Sequence, residues 1–404
     1  MTETSGNLPD ALGYAVAAIQ NRPHNNETNA LRMHNTNQNK WRNLISFWIL
    51  GLCNNYGYVV VLTAAHDIIK RFNGYSINTV GGLVTLTASR DCDLMSSGVL
   101  LLADTIPSMF VKLTAPFLPL FINIRMTVVC LLSMAGLVIV AEAQTEWLAI
   151  FGVILTSFGC GLGETSLLAY TPKFNKNVIS TWSSGTGGAG VCESNAANNI
   201  EISPSTSSES LIDHTGINNN DSSSSATPLN LEQKIRYAPK LLKYVIPLFT
   251  VYISEYFINQ GLYELIFFPD IWLDHSAQYR WLQVDYQIGV FISRSSLNFF
   301  ETKHIWFMAI LQFFNVIYFT YEAVYLSAPT IWFIFGLVFW EGLLGGCCYA
   351  NTFNRITKEL PTRYKSFGMA FVGIGESLGI VGAGLLAIPI HDVICKMPMY
   401  ETYY

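Results

Sequence analysis

Charge is scarce in this chain. Only 13% of its 404 residues are Asp, Glu, Lys or Arg, about half the share in an ordinary soluble domain, which argues against a soluble enzyme. The net charge of −5 is too small and of the wrong sign for nucleic-acid binding, which needs a basic face to displace counterions. Metal-ligand spacing is missing too, since no CxxC is followed by a second pair. Cys53, Cys130, Cys160, Cys347 and Cys348 sit inside apolar runs and read as small packing residues, which leaves Cys92, in a polar stretch, as a disulfide candidate. There is no nucleophile–base–acid set and no Walker loop, so no catalytic residue, metal or cofactor is expected and a membrane-embedded enzyme is the weakest reading. Residues 1–40 lack a basic segment followed by an apolar one, so no cleavable signal peptide is expected. Their Asn, Thr and His content reads as a disordered tail.

Apolar residues are abundant instead. Half the chain (51%) is hydrophobic, with 25 Phe, 20 Tyr and 9 Trp. Long apolar stretches recur near 43–64, 94–120, 122–141, 147–170, 241–268, 279–298, 304–326, 329–353 and 366–394. Each is long enough to cross about 30 Å of hydrocarbon as a helix, which satisfies its own backbone donors there. The fold class read from this pattern is an all-α integral membrane protein of about nine spans. Placing the N-terminus in the cytosol puts most Lys and Arg on that side, while the connections around Glu142 to Glu146 and around Glu322 hold none. Residues 192–236 are rich in Ser and Asn and read as a cytosolic linker. It separates a bundle of about four spans at 41–191 from one of about five at 237–396, with a tail at 397–404. The sequon at Asn26 would matter only in a lumen, and the one at Asn220 is unused on a cytosolic loop. Within the linker, Glu209 ahead of Leu211 and Ile212 fits a sorting signal read by trafficking adaptors, against the simpler reading of a chance Leu-Ile pair.

Ionisable residues inside these stretches stand out. A carboxylate at the bilayer centre costs roughly 2.5–3.5 kcal/mol on the lenient insertion scale, so Asp104, Glu164, Glu255, Glu341 and Glu376 facing lipid would together cost on the order of 12–17 kcal/mol. They are expected to face inward. Asp104, Ser108 and Lys112 recur every four residues and line one wall, as a solute path or as a fixed Asp104–Lys112 network. Tyr252, Glu255, Tyr256, Asn259 and Tyr263 share a face that suits a polar solute or, alternatively, interhelical bonding. Arg280, Gln283, Gln287 and Arg294 form a stripe suited to phosphate or carboxylate, although either arginine can simply anchor a helix end. His66–Asp67 and His391–Asp392, near span ends, are either proton-sensitive pairs or helix-end hydrogen bonds. Gly185-x-Gly187-x-x-Gly190 matches the dinucleotide fingerprint literally, but no strand is expected before it, so close helix packing is the better reading.

Several strings resemble the battenin family of Batten-disease lysosomal membrane proteins: NNYGYVVVLTAAHDI, VLLADTIPSMFVKLTAPF, GCGLGE, WSSGTGGAG, VYISEYFINQGLYEL, QYRW, SRSSL, EGLLGGCCYANTF and LAIPIHD. They run in order through nearly the whole membrane part. The resemblance implies a major-facilitator-like two-part bundle, lysosomal and late endosomal membranes, and clearance of glycerophosphodiesters, with links to luminal pH and basic amino-acid transport. It also supports the sorting signal, and it marks Glu255, Asn259, Arg294, Glu341, Gly345 and Gly346 as site candidates. In the family two apolar spans follow GTGGAG, whereas here Val191 leads directly into the polar linker, so the chain reads as a form lacking two spans. The expected partners are a small polar metabolite, protons, lipid and trafficking adaptors. The leading expectation is a solute transporter; the alternative is a non-transporting scaffold for trafficking and pH regulation.

Overall fold

In the hydrocarbon of a bilayer only a self-satisfied backbone is tolerated, and among the described residues the chain is built from α-helices, short 3₁₀ turns and connecting segments, without strands. The computed structural model describes residues 40–57, 97–200, 229–269 and 271–397, excluding the side chains of 97–100, 193–200 and Ser276. Ten helices result: α1 at 40–57, α2 Ser97–Thr114, α3 Ile122–Ala141, α4 Glu146–Tyr170, α5 Asn177–Ile200, α6 Leu231–Gly261, α7 His275–Ser295, α8 Ile305–Tyr325, α9 Ile331–Glu359 and α10 Thr362–Cys395. The chain divides after Ser46 into two units; the first contributes helical residues 40–46, and all that follows concerns the second.

Among the described residues six segments are long and apolar enough to cross a membrane: Ile122–Ala141, Glu146–Lys173, Leu231–Leu265, Ile305–Tyr325, Ile331–Glu359 and Thr362–Cys395. The sequence pattern gave about nine. The described parts of the stretches near 43–64, 94–120 and 279–298 lie in α1, α2 and α7, which do not reach that measure within the described residues. For α7 the reason is its polarity, with Arg280, Gln283, Asp285, Gln287 and Arg294 in 21 residues.

Burial separates outer helices from inner ones. On α3, Val129, Gly136 and Val140 are buried, whereas Ile124, Leu131, Met134 and Val138 are exposed. The pattern repeats on α8, which exposes Trp306, Phe307, Phe313 and Phe314. Apolar faces open to this extent fit lipid as their solvent. In contrast α6 buries Tyr244, Leu248, Val251, Tyr252 and Ile258 almost completely. It lies along α10, which also packs against α2 and α4, while α7 packs between α5 and α9.

Helix ends are capped from local sequence. Asn230 and Gln233 form a reciprocal capping box on α6, and Asp274 accepts from the Ala277 amide at 3.0 Å to start α7. Glu322, expected in a connection, is instead fully buried inside α8. Its carboxylate accepts from Ser327 N at 3.1 Å, Ser327 Oγ at 3.0 Å and Ala328 N at 3.1 Å. These bonds hold the sharp exit after α8, where Leu326 adopts φ 48°.

One end of the helices is basic. Lys234 donates to the Pro116 and Phe117 carbonyls at 2.9 and 3.1 Å, Arg363 donates to Gln233 at 2.9 Å, and Lys243 pairs with Glu359 at 3.0 Å. The end of α2, the starts of α6 and α10 and the end of α9 therefore meet there. Arg355 donates to the Lys303 carbonyl at 2.8 Å, which places the chain after α7 at the same end.

Helix α5 changes the reading of the first bundle. The expected linker began at residue 192, yet the helix continues through GTGGAG to Ile200. Gly187 faces Phe291 and Arg294 while Gly190 faces Gln287, so α5 runs antiparallel to α7 and away from the basic end. Helix α6 also starts at the basic end and runs away from it. Two successive helices thus point the same way, with Ile200 and Leu231 at opposite ends.

Candidate functional site

Two polar clusters occupy the buried centre. In the first, Lys112 of α2 lies 2.7 Å from Glu164 of α4 and 3.2 Å from Glu376 of α10. Tyr349 of α9 donates its hydroxyl to Glu164 at 3.2 Å and receives the Trp182 indole N–H at 3.4 Å. Lys112 thus takes its two counter-ions from α4 and α10. Asp104 is buried one wall further along α2, and its backbone carbonyl accepts from Ser157. Lys112 reaches across to two other helices because a buried ammonium needs carboxylates within about 4 Å to offset its desolvation.

The second cluster surrounds Arg294. Its guanidinium donates to Thr186 at 2.9 Å and to the Tyr252 hydroxyl at 3.1 Å, and lies 4.3 Å from the centre of the Tyr349 ring. Tyr252 and Tyr256 are stacked with ring centres 6.0 Å apart. Beside them, Glu255 Oε2, Asn259 Oδ1 and Arg294 Nε are buried without hydrogen-bond partners. A buried polar atom left unsatisfied costs about 1–3 kcal/mol, more when it is charged. Two acceptors, one turn apart on α6, and one donor on α7 are thus left without partners.

Gly345 explains how the Glu255 carboxylate fits. A Cβ on Gly345 would lie 2.6 Å from Glu255 Oε2, so α9 passes the carboxylate at a distance that an ordinary side chain would block.

The remaining predicted residues distribute unevenly. Arg280 is half-buried near the start of α7, 14 residues before Arg294, roughly 20 Å along the helix axis. It does not join the cluster, because spacing on a helix face says nothing of depth. Gln287 packs against Gly190, and Gln283 donates to the Asn259 carbonyl at 3.0 Å. Glu341 forms a separate site, accepting from the Tyr263 hydroxyl at 2.7 Å and from Gln312 at 3.4 Å. Tyr263 reaches it from the turn beyond the end of α6, off the helical face on which the sequence placed it. His391 faces Glu264 at 3.6 Å, and its neighbour Asp392 pairs with Lys396 at 2.6 Å. Cys53, Cys130, Cys160, Cys192, Cys347 and Cys348 are free, and Cys395 is disulfide-bonded. Glu209, Leu211, Ile212, His66, Asp67, Cys92, Asn26 and Asn220 lie outside the described residues.

The model of the CLN3 protein family matches residues 45–207 and 193–397. This chain belongs to the CLN3 family. Battenin of Canis lupus familiaris is 35% identical over 408 residues, covering 88% of this chain and 92% of that protein. Protein BTN1 of Yarrowia lipolytica is 33% identical over 394 residues, covering 87% and 94%. Protein BTN1 of Candida albicans is 32% identical over 430 residues, covering 88% and 95%. Each alignment is longer than the part of this chain it takes in, so these relatives hold stretches without a counterpart here. Membership of the CLN3 family and the apolar helices together describe a multi-pass membrane protein.

Within this CLN3-family chain the sequence pattern overlooked Tyr349, Trp182 and Thr186, which join the two clusters. Tyr349 and Trp182 both sit in the quoted strings EGLLGGCCYANTF and WSSGTGGAG. The usable signal was a phenol or indole N–H within an otherwise small-residue helix, since such groups are buried with a partner.

Proposed function

We propose that this chain is a solute-carrier-like protein of lysosomal and late endosomal membranes. Its polar space between α6, α7 and α9 takes a small polar or anionic metabolite, a glycerophosphodiester by family resemblance. The observation that carries this reading is the trio of open atoms, Glu255 Oε2, Asn259 Oδ1 and Arg294 Nε, at the buried centre. Arg294 offers its remaining N–H to a phosphate oxygen, while Glu255 and Asn259 accept from hydroxyl or amine groups. Movement follows from exposing this space alternately to the two membrane faces between helices 41–191 and 237–396. By the same resemblance the carrier acts on luminal pH and basic amino-acid levels, and Glu209, Leu211 and Ile212 direct it to its membrane through adaptors.

Uptake of labelled glycerophosphocholine into liposomes holding the purified chain tests this reading. Saturable uptake is expected, falling roughly 10- to 100-fold in Glu255→Gln or Arg294→Met, the loss of one charge-assisted hydrogen bond. No uptake by this chain or by the dog relative, or uptake indifferent to both substitutions, overturns it.

A second reading is a non-transporting scaffold that regulates trafficking and pH. It is favoured by the parallel course of α5 and α6 and by the stretches present only in the relatives. Uptake by dog battenin without uptake by this chain selects it.

A further inference from the structure

We infer that Glu376 is a proton-binding site, coupled through Tyr349 and Arg294 to the solute space. This rests on the solute-carrier reading given above for its link to transport, but the site itself stands on geometry. One ammonium serves two carboxylates unequally. Glu164 has Lys112 at 2.7 Å and the Tyr349 hydroxyl at 3.2 Å, whereas Glu376 has the shared ammonium at 3.2 Å. When two carboxylates share one cation, the better-held one stays ionised and the other takes up the proton.

The charge count points the same way. Asp104, Glu164, Glu255 and the part-buried Glu376 outnumber the two cations Lys112 and Arg294, so negative charge is in excess in a largely buried region. Glu255 adds a further carboxylate to this excess, its Oε2 buried without a hydrogen-bond partner. An uncompensated charge at this depth costs several kcal/mol. A proton on Glu376 reduces the excess: it arrives from water, forms an O–H bond on the Glu376 carboxylate, and leaves Lys112 paired with Glu164.

Glu376 pairs with Lys112 on α2, and the titratable groups within electrostatic reach of it are Glu164 and Cys160 on α4, Tyr252, Glu255 and Tyr256 on α6, Arg294 on α7 and Tyr349 on α9. Asp104 lies further along α2. The Lys112–Glu376 pair ties α2 to α10, and α10 lies along α6, the helix that carries Glu255 and Tyr252. Protonation of Glu376 releases the ionic tie between α2 and α10, while the solute groups stay on α6 and α7. Solute on Arg294 acts in return on Tyr349, which bonds Glu164.

The pH-difference infrared spectrum of the reconstituted chain reads the proton without solute. A protonated-carboxyl C=O band is expected to appear on acidification and to be lost in Glu376→Gln. Should Glu376→Gln fail gel filtration, Glu376→Asp keeps a carboxyl and is expected to shift the band. A band unchanged in both variants overturns the inference. In liposomes, the ratio of glycerophosphocholine uptake with an imposed pH gradient to that without one is expected to exceed unity and to fall to unity in Glu376→Gln; an unchanged ratio also overturns the coupling. Absence of uptake by the unmodified chain defeats the solute-carrier reading alone, and the infrared band still decides the proton site.

Discussion

Glu164 and Glu255 are both buried carboxylates in the same helical core, and their surroundings are opposite. Glu164 meets an ammonium at 2.7 Å and a phenol at 3.2 Å. Glu255 leaves one oxygen with nothing to bond, next to an equally open Asn259 oxygen and Arg294 nitrogen. A satisfied ion pair holds helices together, and removing one member leaves a stranded charge. An open carboxylate of similar burial adds little to the fold, and the solute reading proposed above gives it a use.

The sharpest way to break this comparison is at Lys112. Lys112→Met strands Glu164 and Glu376 together, and the loss expected is about 3–5 kcal/mol, the cost of breaking a buried pair by removing one partner. Thermal unfolding in detergent reads it, and a melting temperature equal to that of the parent would show the junction to be dispensable. Gly345→Ala comes next. Its added methyl meets Glu255 Oε2 at 2.6 Å, and overpacking of this kind costs about 1–3 kcal/mol; restoration of the melting temperature in Gly345→Ala combined with Glu255→Ala would locate the clash at that carboxylate.

Glu255→Gln alone sharpens the contrast from the other side. It removes an unpaired charge, so stability is expected to stay level or rise by up to about 1 kcal/mol, even as uptake falls. A large destabilisation would place Glu255 with Glu164 as a structural group. The smallest effect belongs to the exposed Glu301–Lys358 pair, which joins the connection between α7 and α8 to the end of α9. Lys358, donating to Glu301, holds that carboxyl below its usual range. Its contribution is therefore present above the ordinary carboxylate pKa and lost as pH falls through the lowered one. Glu301→Gln should cost less than about 1 kcal/mol and should flatten that small acid-side loss in a melting-temperature series.

How much of this was legible depended on distance along the chain. The apolar runs announced helices, because a lipid-facing or core helix must be apolar on a long stretch. The inward position of Asp104, Glu164, Glu255, Glu341 and Glu376 followed from the cost of a charge in lipid; the first four are buried and Glu376 is part-buried. Partners were another matter. Lys112 and Glu376 are separated by 264 positions, and no local spacing reports such a pair, so Asp104 on the same helix looked like the counter-ion. Helix α5 escaped for a compositional reason. It packs by glycine against α1 and α7, and a helix gripped so closely on both sides needs few large apolar residues; its polar end, ESNAANNI, then resembled the start of a linker. Arg280 was overvalued because a helical stripe fixes direction around the axis and leaves depth undefined.

A density map of the full chain in lipid nanodiscs, recorded with glycerophosphocholine, tests the central claim most directly. Density bridging Glu255, Asn259 and Arg294 is the expected result, with Lys112 still seated between Glu164 and Glu376 or released from Glu376 alone. A map in which Glu255 and Arg294 have closed onto one another, dry and with the probe absent or bound elsewhere, would contradict it.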